Sequence, residues 1–441
     1  MVMAGLFMAQ PLVGYRLDLL EPPGKVGWRK VLAETQRLRR GRIFGGGMPS
    51  MEMGRAVGPY AAGRNAAFDS LRSFGILLVL LHHTVLAYVT FGFLNPADPM
   101  ATFSPIVDGA KWAGFDRIAL VNDTFFMPLL FLVSGLFVWQ SLKNRGVASF
   151  LLGRLKRLGI PFVIGLFVLT PLAFYPTMLE IKLVYGVSQG FGEFWLNFVK
   201  GGLTQPGPLW FIWLLLAFDI VVALSYGLIN KLFSRSNRES NLLLDNPLIF
   251  VLVLFGLSIA AYVPMSNAFG PSVWKGFGPF QIQISRVFLY LLYFLAGVAL
   301  GSRGLQKSAL RSDGPIAKTW WAWVLAGAAS YAGLTWIFTA NPTSPLVRYI
   351  FLAEMALMVM ALAAIFVRFG QRSVRILNSL SANSYGIYLV HYLVIIWLQY
   401  AVLRAQMAVG IKFAIVFVGG IAICWGLTSA LRRIPAVRKI I

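Results

Sequence analysis

In the stretch Asp69-Ser-Leu-Arg72-Ser-Phe-Gly-Ile-Leu-Leu-Val-Leu-Leu-His82-His83, a guanidinium and an imidazole stand eleven residues apart. At about 100° per residue, eleven steps make roughly 1100°, some 20° from three full turns, so Arg72 and His83 share one face of a helix. His82 falls about 80° off that face. Along the axis the separation is roughly 16 Å, which puts Arg72 at a membrane edge and His83 near the middle. A guanidinium holds phosphate or a carbonyl oxygen, and a histidine takes a proton from a hydroxyl. The pair suits an enzyme that draws a phosphorylated donor from one side of a membrane. It equally fits a plainer arrangement, in which Arg72 is an anchor and His83 makes an interhelical hydrogen bond.

A membrane must position them, because the composition leaves no other solvent. The chain has 441 residues, 58% hydrophobic and 12% charged, with a mean hydropathy of +0.72. Soluble domains carry about 25% charged residues. Apolar runs of about 17–22 residues recur near 71–91, 124–140, 159–175, 209–229, 247–263, 285–301, 320–338, 347–367, 385–403 and 410–431. Each is long enough for roughly 30 Å of hydrocarbon as a helix, and none alternates as a barrel strand does. The expected fold is all-α, a polytopic membrane protein of about ten transmembrane helices.

The net charge of +23 invites a nucleic-acid reading, but the basic residues sit in short segments between apolar runs. With the N-terminus inside, 30 of the 39 basic residues fall on inner segments and 7 on outer loops. That asymmetry predicts both termini in the cytoplasm and no nucleic-acid partner. The longer outer connections, 92–123 and 176–208, are natural docking places for an external acceptor. Residues 1–66 read as a basic cytoplasmic extension with a Gly/Met/Pro-rich stretch near Gly45–Gly58, and 67–441 as the membrane domain with a short basic tail. No secretory signal is expected in Met1–Leu12, which lacks a basic flank and a small-residue cleavage site. Trp28–Arg40 fits either a basic helix on an anionic membrane surface or a disordered tail. A single cysteine, Cys424, and three histidines predict no disulfide, no CxxC site and no histidine-rich metal cluster.

Five elements in order resemble the acyltransferase-3 family of membrane acyltransferases. Asp69-Ser-Leu-Arg72 with His83 resembles its Arg-x10-His signature, and Phe131-Leu-Val-Ser134-Gly135-Leu its Ser-Gly element. Arg154-Leu-Lys-Arg157-Leu-Gly-Ile-Pro161 resembles its Arg-x-x-Arg…Pro entry, and Pro208-Leu-Trp210-Phe211 its Trp-Phe element. Ser384-Tyr385-Gly-Ile-Tyr388-Leu-Val-His391 resembles its Ser-Tyr…Tyr-Leu-x-His element. Together they span roughly Ala67 to Leu431.

The resemblance implies a catalytic His83, Arg72 as its partner toward the acyl donor, and Arg154 and Arg157 as residues that help bind an acyl-CoA. It implies transfer of a short acyl group, acetyl or succinyl, to a hydroxyl of an envelope glycan or glycolipid. The setting it implies is a bacterial cytoplasmic membrane, with acyl-CoA as substrate and no bound cofactor or metal. Asp69, Ser134, Trp210, Tyr388 and His391 join the expected polar lining. Plainer readings stand beside these: positive-inside anchoring for Arg154, Lys156 and Arg157, close helix packing for Ser134-Gly135, an interfacial aromatic for Trp210, and an interhelical bond for His391. Asp219 and Glu354 fall inside the hydrocarbon zone, with an arginine or histidine as the expected kind of partner. A proton-coupled transporter or exporter is the alternative function, since intramembrane His, Asp and Glu also form proton relays.

Overall fold

The structure is a computed structural model that describes residues 66–235, 242–305, 308–371 and 375–441. The expected extension therefore lies outside the described residues. Ten helices are long and apolar enough to cross a membrane. They are α1 (Ala66–Val85), α2 (Ala113–Gly135), α3 (Val147–Tyr185), α4 (Trp210–Leu224) and α5 (Pro247–Phe269), followed by α6 (Val287–Arg303), α7 (Trp320–Ala340), α8 (Leu346–Phe369), α9 (Arg375–Val402) and α10 (Val409–Leu431). Below, the first face is the one on which α1 begins, and the second face is the one on which it ends.

Lipid contact sorts the spans. The most apolar window of α2 is 78% buried within the protein and that of α8 67%, whereas α7 and α10 bury 17% and 22%. Helices α2 and α8 therefore form the centre, and α7 and α10 present apolar faces to lipid. Helix α2 packs on α1, α6 and α8, and α9 packs on α1, α3 and α10.

Local chemistry sets several ends. The Asn246 side chain accepts from the backbone N–H groups of Leu248 and Ile249, with Pro247 in the first helical position, a strong start for α5. Helix α3 stops where Gly186 enters the left-handed region at φ +75°. The interior of α3 carries two π-helical turns, Leu155–Gly159 and Gly165–Leu169, on either side of Pro161.

Several helices exceed their hydropathy runs, α2 and α3 the most. Helix α2 starts eleven residues before Thr124, through the polar residues Asp116, Arg117, Asn122 and Asp123, and α3 starts twelve residues before Gly159. Charged residues hide a helix from a hydropathy window without disfavouring it. The connections that follow α1 and α3 also carry structure of their own. One carries the 3-10 turns Leu86–Tyr88 and Pro99–Ala101, and the other contains a further helix, Phe191–Lys200. A short antiparallel hairpin, β1 (Trp274–Phe277) with β2 (Phe280–Gln283), precedes α6 and is the strand structure among the described residues.

A glycine seam joins α2 to α6. A Cβ on Gly135 would lie 2.1 Å from the Phe294 carbonyl oxygen, and one on Gly297 would lie 2.1 Å from that of Leu132. On Gly301 it would lie 2.0 Å from the Leu136 oxygen. Gly297 and Gly301 are four residues apart, the small-xxx-small spacing that lets membrane helices touch along their backbones. The Gly135 half of the Ser-Gly element is therefore a packing device. We expect Gly297→Ala to cost about 1–3 kcal/mol of stability by forcing this seam apart. Gly256→Ala on α5, where a Cβ meets nothing within 4 Å, should be neutral. Thermal unfolding of the detergent-solubilised variants separates the two.

Candidate active site

All three histidines of the chain meet beneath the second face. The His83 ring lies 5.6 Å from that of His82 and 5.2 Å from that of His391 on α9. Helix geometry sends neighbouring residues to different sides. His82 stacks on Phe126 of α2 at 5.1 Å and is buried. His83 instead faces α9, where Tyr392 meets it edge-on at 4.8 Å, and it alone of the three keeps partial exposure.

Helix α9 fixes the far wall. His391 Nδ1 lies 2.5 Å from the Tyr388 carbonyl oxygen. A carbonyl only accepts, so Nδ1 carries the hydrogen, and in the neutral imidazole Nε2 is then the acceptor. That Nε2 is buried and meets no hydrogen-bond partner among the described residues. Tyr388 donates its hydroxyl to the Pro208 carbonyl and holds its ring 5.5 Å from His391. Two turns beyond His391, Gln399 donates to the carbonyls of His83 (2.9 Å) and Thr84 (3.1 Å), pinning the end of α1 to α9.

Irregular backbone completes the wall. Between the Phe191–Lys200 helix and α4, Leu203 and Gly207 adopt positive φ, +58° and +55°. A Cβ on Gly207 would sit 3.3 Å from the Tyr392 ring, so this turn lies against the histidine cluster. Non-helical backbone at such depth is tolerated where protein surrounds it.

A cap closes the second face. Helix α1 ends two residues after His83, and residues 86–112 fold back with Tyr88, Val89 and Ile106 buried. Asp116 accepts from the Thr90 backbone (2.8 Å) and hydroxyl (2.5 Å), and both Glu180 oxygens accept from Val107 N–H at 3.3 and 3.2 Å. Lys412 on α10 reaches Asp108 at 2.7 Å, with both side chains 3% exposed.

The other expected site residues lie closer to the first face. Arg72 pairs with Asp69 one turn earlier at 3.3 Å, and Ser381 of α9 donates to the Asp69 carbonyl at 3.3 Å. Arg154 pairs with Asp219 on α4 at 3.1 Å. Arg157 is exposed, and its carbonyl accepts the Tyr385 hydroxyl. Pro161, four residues on, has no N–H to give that carbonyl. Two residues fall outside both groups. Trp210 packs among Phe131, Trp274 and Tyr290 at 5.5–6.4 Å, and half-buried Ser134 sits beside the glycine seam.

One expectation needs correction. Glu354 is fully buried but meets no base among the described residues; its partner is the Thr124 hydroxyl. Asp123, the residue before Thr124, does hold a base: Arg286 donates to its carboxylate at 2.7 Å and to its carbonyl at 3.3 Å. Among the described residues, no group of three or more His, Cys, Asp or Glu side chains is placed to hold a metal ion.

The ordered motifs and the clustered histidines agree with a match to a family model described as an acyltransferase domain, which covers residues 65–429. The chain belongs to the acyltransferase-3 family. It is therefore a multi-pass membrane acyltransferase. No curated protein and no solved structure matches it.

Sequence reasoning about this acyltransferase missed Tyr392, Gln399 and the cap. Tyr392 and Gln399 carried a signal, because both lie on α9 within two turns of His391. The cap carried none, since Asp108 and Lys412 are 304 residues apart. Lys412→Met should strand buried Asp108 and cost about 3–5 kcal/mol, while the Asp108→Asn/Lys412→Met pair should recover much of that. Thermal unfolding, with proteolysis of residues 86–112 as a local probe, measures both.

Proposed function

We propose that the enzyme moves a short acyl group, acetyl or succinyl, from a cytoplasmic acyl-CoA to a hydroxyl of an envelope glycan or glycolipid. The single observation that carries this reading is the position of His83, the one partly accessible histidine in a buried trio and on the same helix as Arg72. The positive-inside asymmetry supports a cytoplasmic first face, with Arg72, Arg154 and Arg157 on the side where acyl-CoA is made. In this reading the histidines and their cap lie in the outer half, near an external acceptor.

In this reading Arg154 and Arg157 hold donor phosphates and Arg72 orients the acyl end. His83 takes the acceptor hydroxyl's proton as its oxygen attacks the thioester carbonyl. The carbon–sulfur bond then breaks, and the departing thiolate recovers the proton from the imidazolium. The bare Nε2 of His391 supplies a second polar contact for the acceptor. Asp69 holds Arg72, and Tyr388 holds the wall through Pro208.

Mass spectrometry of envelope polysaccharide, glycolipid and periplasmic glucan from cells with and without the gene tests the reaction. An ester that disappears with the gene supports it, and unchanged envelopes count against it. At matched expression we expect His83→Ala to abolish the ester. His82→Ala, whose ring stacks on Phe126 away from α9, should keep at least about a tenth of the activity, because general-base losses run to 100-fold or more. Equal loss in both would remove His83 from its role.

A further inference from the structure

Gln399 is a fully buried amide on α9. Its Nε2 donates to two successive carbonyls of α1, those of His83 at 2.9 Å and Thr84 at 3.1 Å. Both belong to the last turn of α1, where a helix runs out of N–H donors for its own carbonyls. The chain tightens there into the 3-10 turn Leu86–Tyr88. Because a carbonyl only accepts, the amide has one possible orientation, with its NH2 toward α1 and Oε1 turned away. Oε1 is buried and meets no hydrogen-bond partner among the described residues.

Stability alone does not account for this residue. Hydrogen bonds between membrane helices add little on average, and an orphaned buried acceptor is unfavourable. A methionine would fill the same space and leave no orphan. What the amide supplies is two donors in one plane, without charge and at a fixed reach. They grip His83 by its own backbone. The His83 ring also touches α9, 5.2 Å from His391 and 4.8 Å from Tyr392. Ring contacts tolerate sliding, since aromatic pairs remain favourable over separations of about 4.5–7 Å. A hydrogen bond is lost beyond about 3.5 Å, and a helix that slips by one residue moves about 1.5 Å. The amide therefore sets the height of α1 against α9 where the rings would leave it loose.

We propose that Gln399 is a positioning residue for acyl transfer, which holds His83 in register with the α9 wall through the carbonyls of His83 and Thr84. The inference rests on the reading of His83 as the base and adds what keeps that base in place. A catalytic group displaced by about 1 Å loses on the order of 100-fold in rate, so the effect belongs to turnover and not to donor binding.

The test measures two quantities for each variant. One is the rate at which the envelope ester appears after induction, per folded protein in the membrane. The other is the affinity of the full-length protein in lipid nanodiscs for CoA, whose proposed arginine contacts lie near the first face, away from Gln399. Gln399→Met, similar in length but without donors, should slow ester formation about 10- to 100-fold and leave CoA affinity within about twofold. Trp397→Phe is the control. It removes another hydrogen bond of α9, from Trp397 Nε1 to the Leu172 carbonyl of α3 at 2.9 Å, and should leave both quantities within about twofold. Should Gln399→Met not reach the membrane, Gln399→Asn carries the same expectation, because its amide stops one methylene short of α1. If the Gln399 variant slows the ester no more than Trp397→Phe does, the positioning role is wrong. If it weakens CoA binding as much as it slows the ester, Gln399 acts through the fold, and the inference is again overturned. Both of those results leave the reading of His83 standing. If His83→Ala itself leaves the ester forming, the base reading fails and takes the inference with it.

Discussion

In hydrocarbon a backbone carbonyl that loses its helical donor must find another, because water is absent. This chain loses such donors at many places, through the prolines of α3, Pro128 in α2 and the irregular turn before α4. Helix α9 meets much of that need. Along it Ser381, Tyr385, Tyr388, Trp397 and Gln399 donate in turn to the carbonyls of Asp69, Arg157, Pro208, Leu172 and His83. Two spans, α1 and α3, and a turn are thereby tied to one helix, and His391 lies in the middle of that stripe. The helix that repairs the backbone is also the helix that presents the second imidazole.

The same accounting explains why polarity is concentrated in this bundle. The buried acids Asp219, Glu354 and Asp108 and the half-buried Asp123 each meet a partner on another element, respectively Arg154, Thr124, Lys412 and Arg286. Breaking such a pair strands a charge, so each contact specifies which elements adjoin even where its net stabilisation is small. Between α2 and α6 the device is different. Three glycines bring the backbones into contact, and dispersion does the work that hydrophobic transfer cannot do in lipid.

The fold was largely legible from sequence because lipid imposes a coarse and unambiguous signal. Ten runs of sufficient length became ten helices, and the polar start of α2 was lost only because hydropathy windows weigh charge and ignore helix propensity. The site was legible in parts. The periodicity that put His83 and not His82 on the Arg72 stripe matches rings that turn to different helices. The partners of Asp219 and Glu354 were not legible. Pairing across more than 60 or 200 residues depends on how helices rotate and cross, which composition and period leave open. The Gly297-Val-Ala-Leu-Gly301 spacing was present in the sequence and passed unread.

The distribution of these groups bears on how an acyl group would cross the bundle. Arg72, Arg154 and Arg157 lie toward the first face, and the histidines lie under a cap that closes the second. Arg72 and His83 stand roughly 16 Å apart along α1. In the proposed reaction the phosphopantetheine arm of a CoA is a flexible chain of comparable length, so its charged end would not need to leave the arginines for the thioester to reach the imidazole. Between the two levels α9 contributes Tyr385 and Tyr388, whose hydroxyls are already committed to carbonyls. A passage lined by committed hydroxyls and aromatic faces would suit the largely uncharged arm of the donor while refusing the phosphates. The enzyme would then separate its two tasks by depth, with charge held at one level and proton transfer performed at the other.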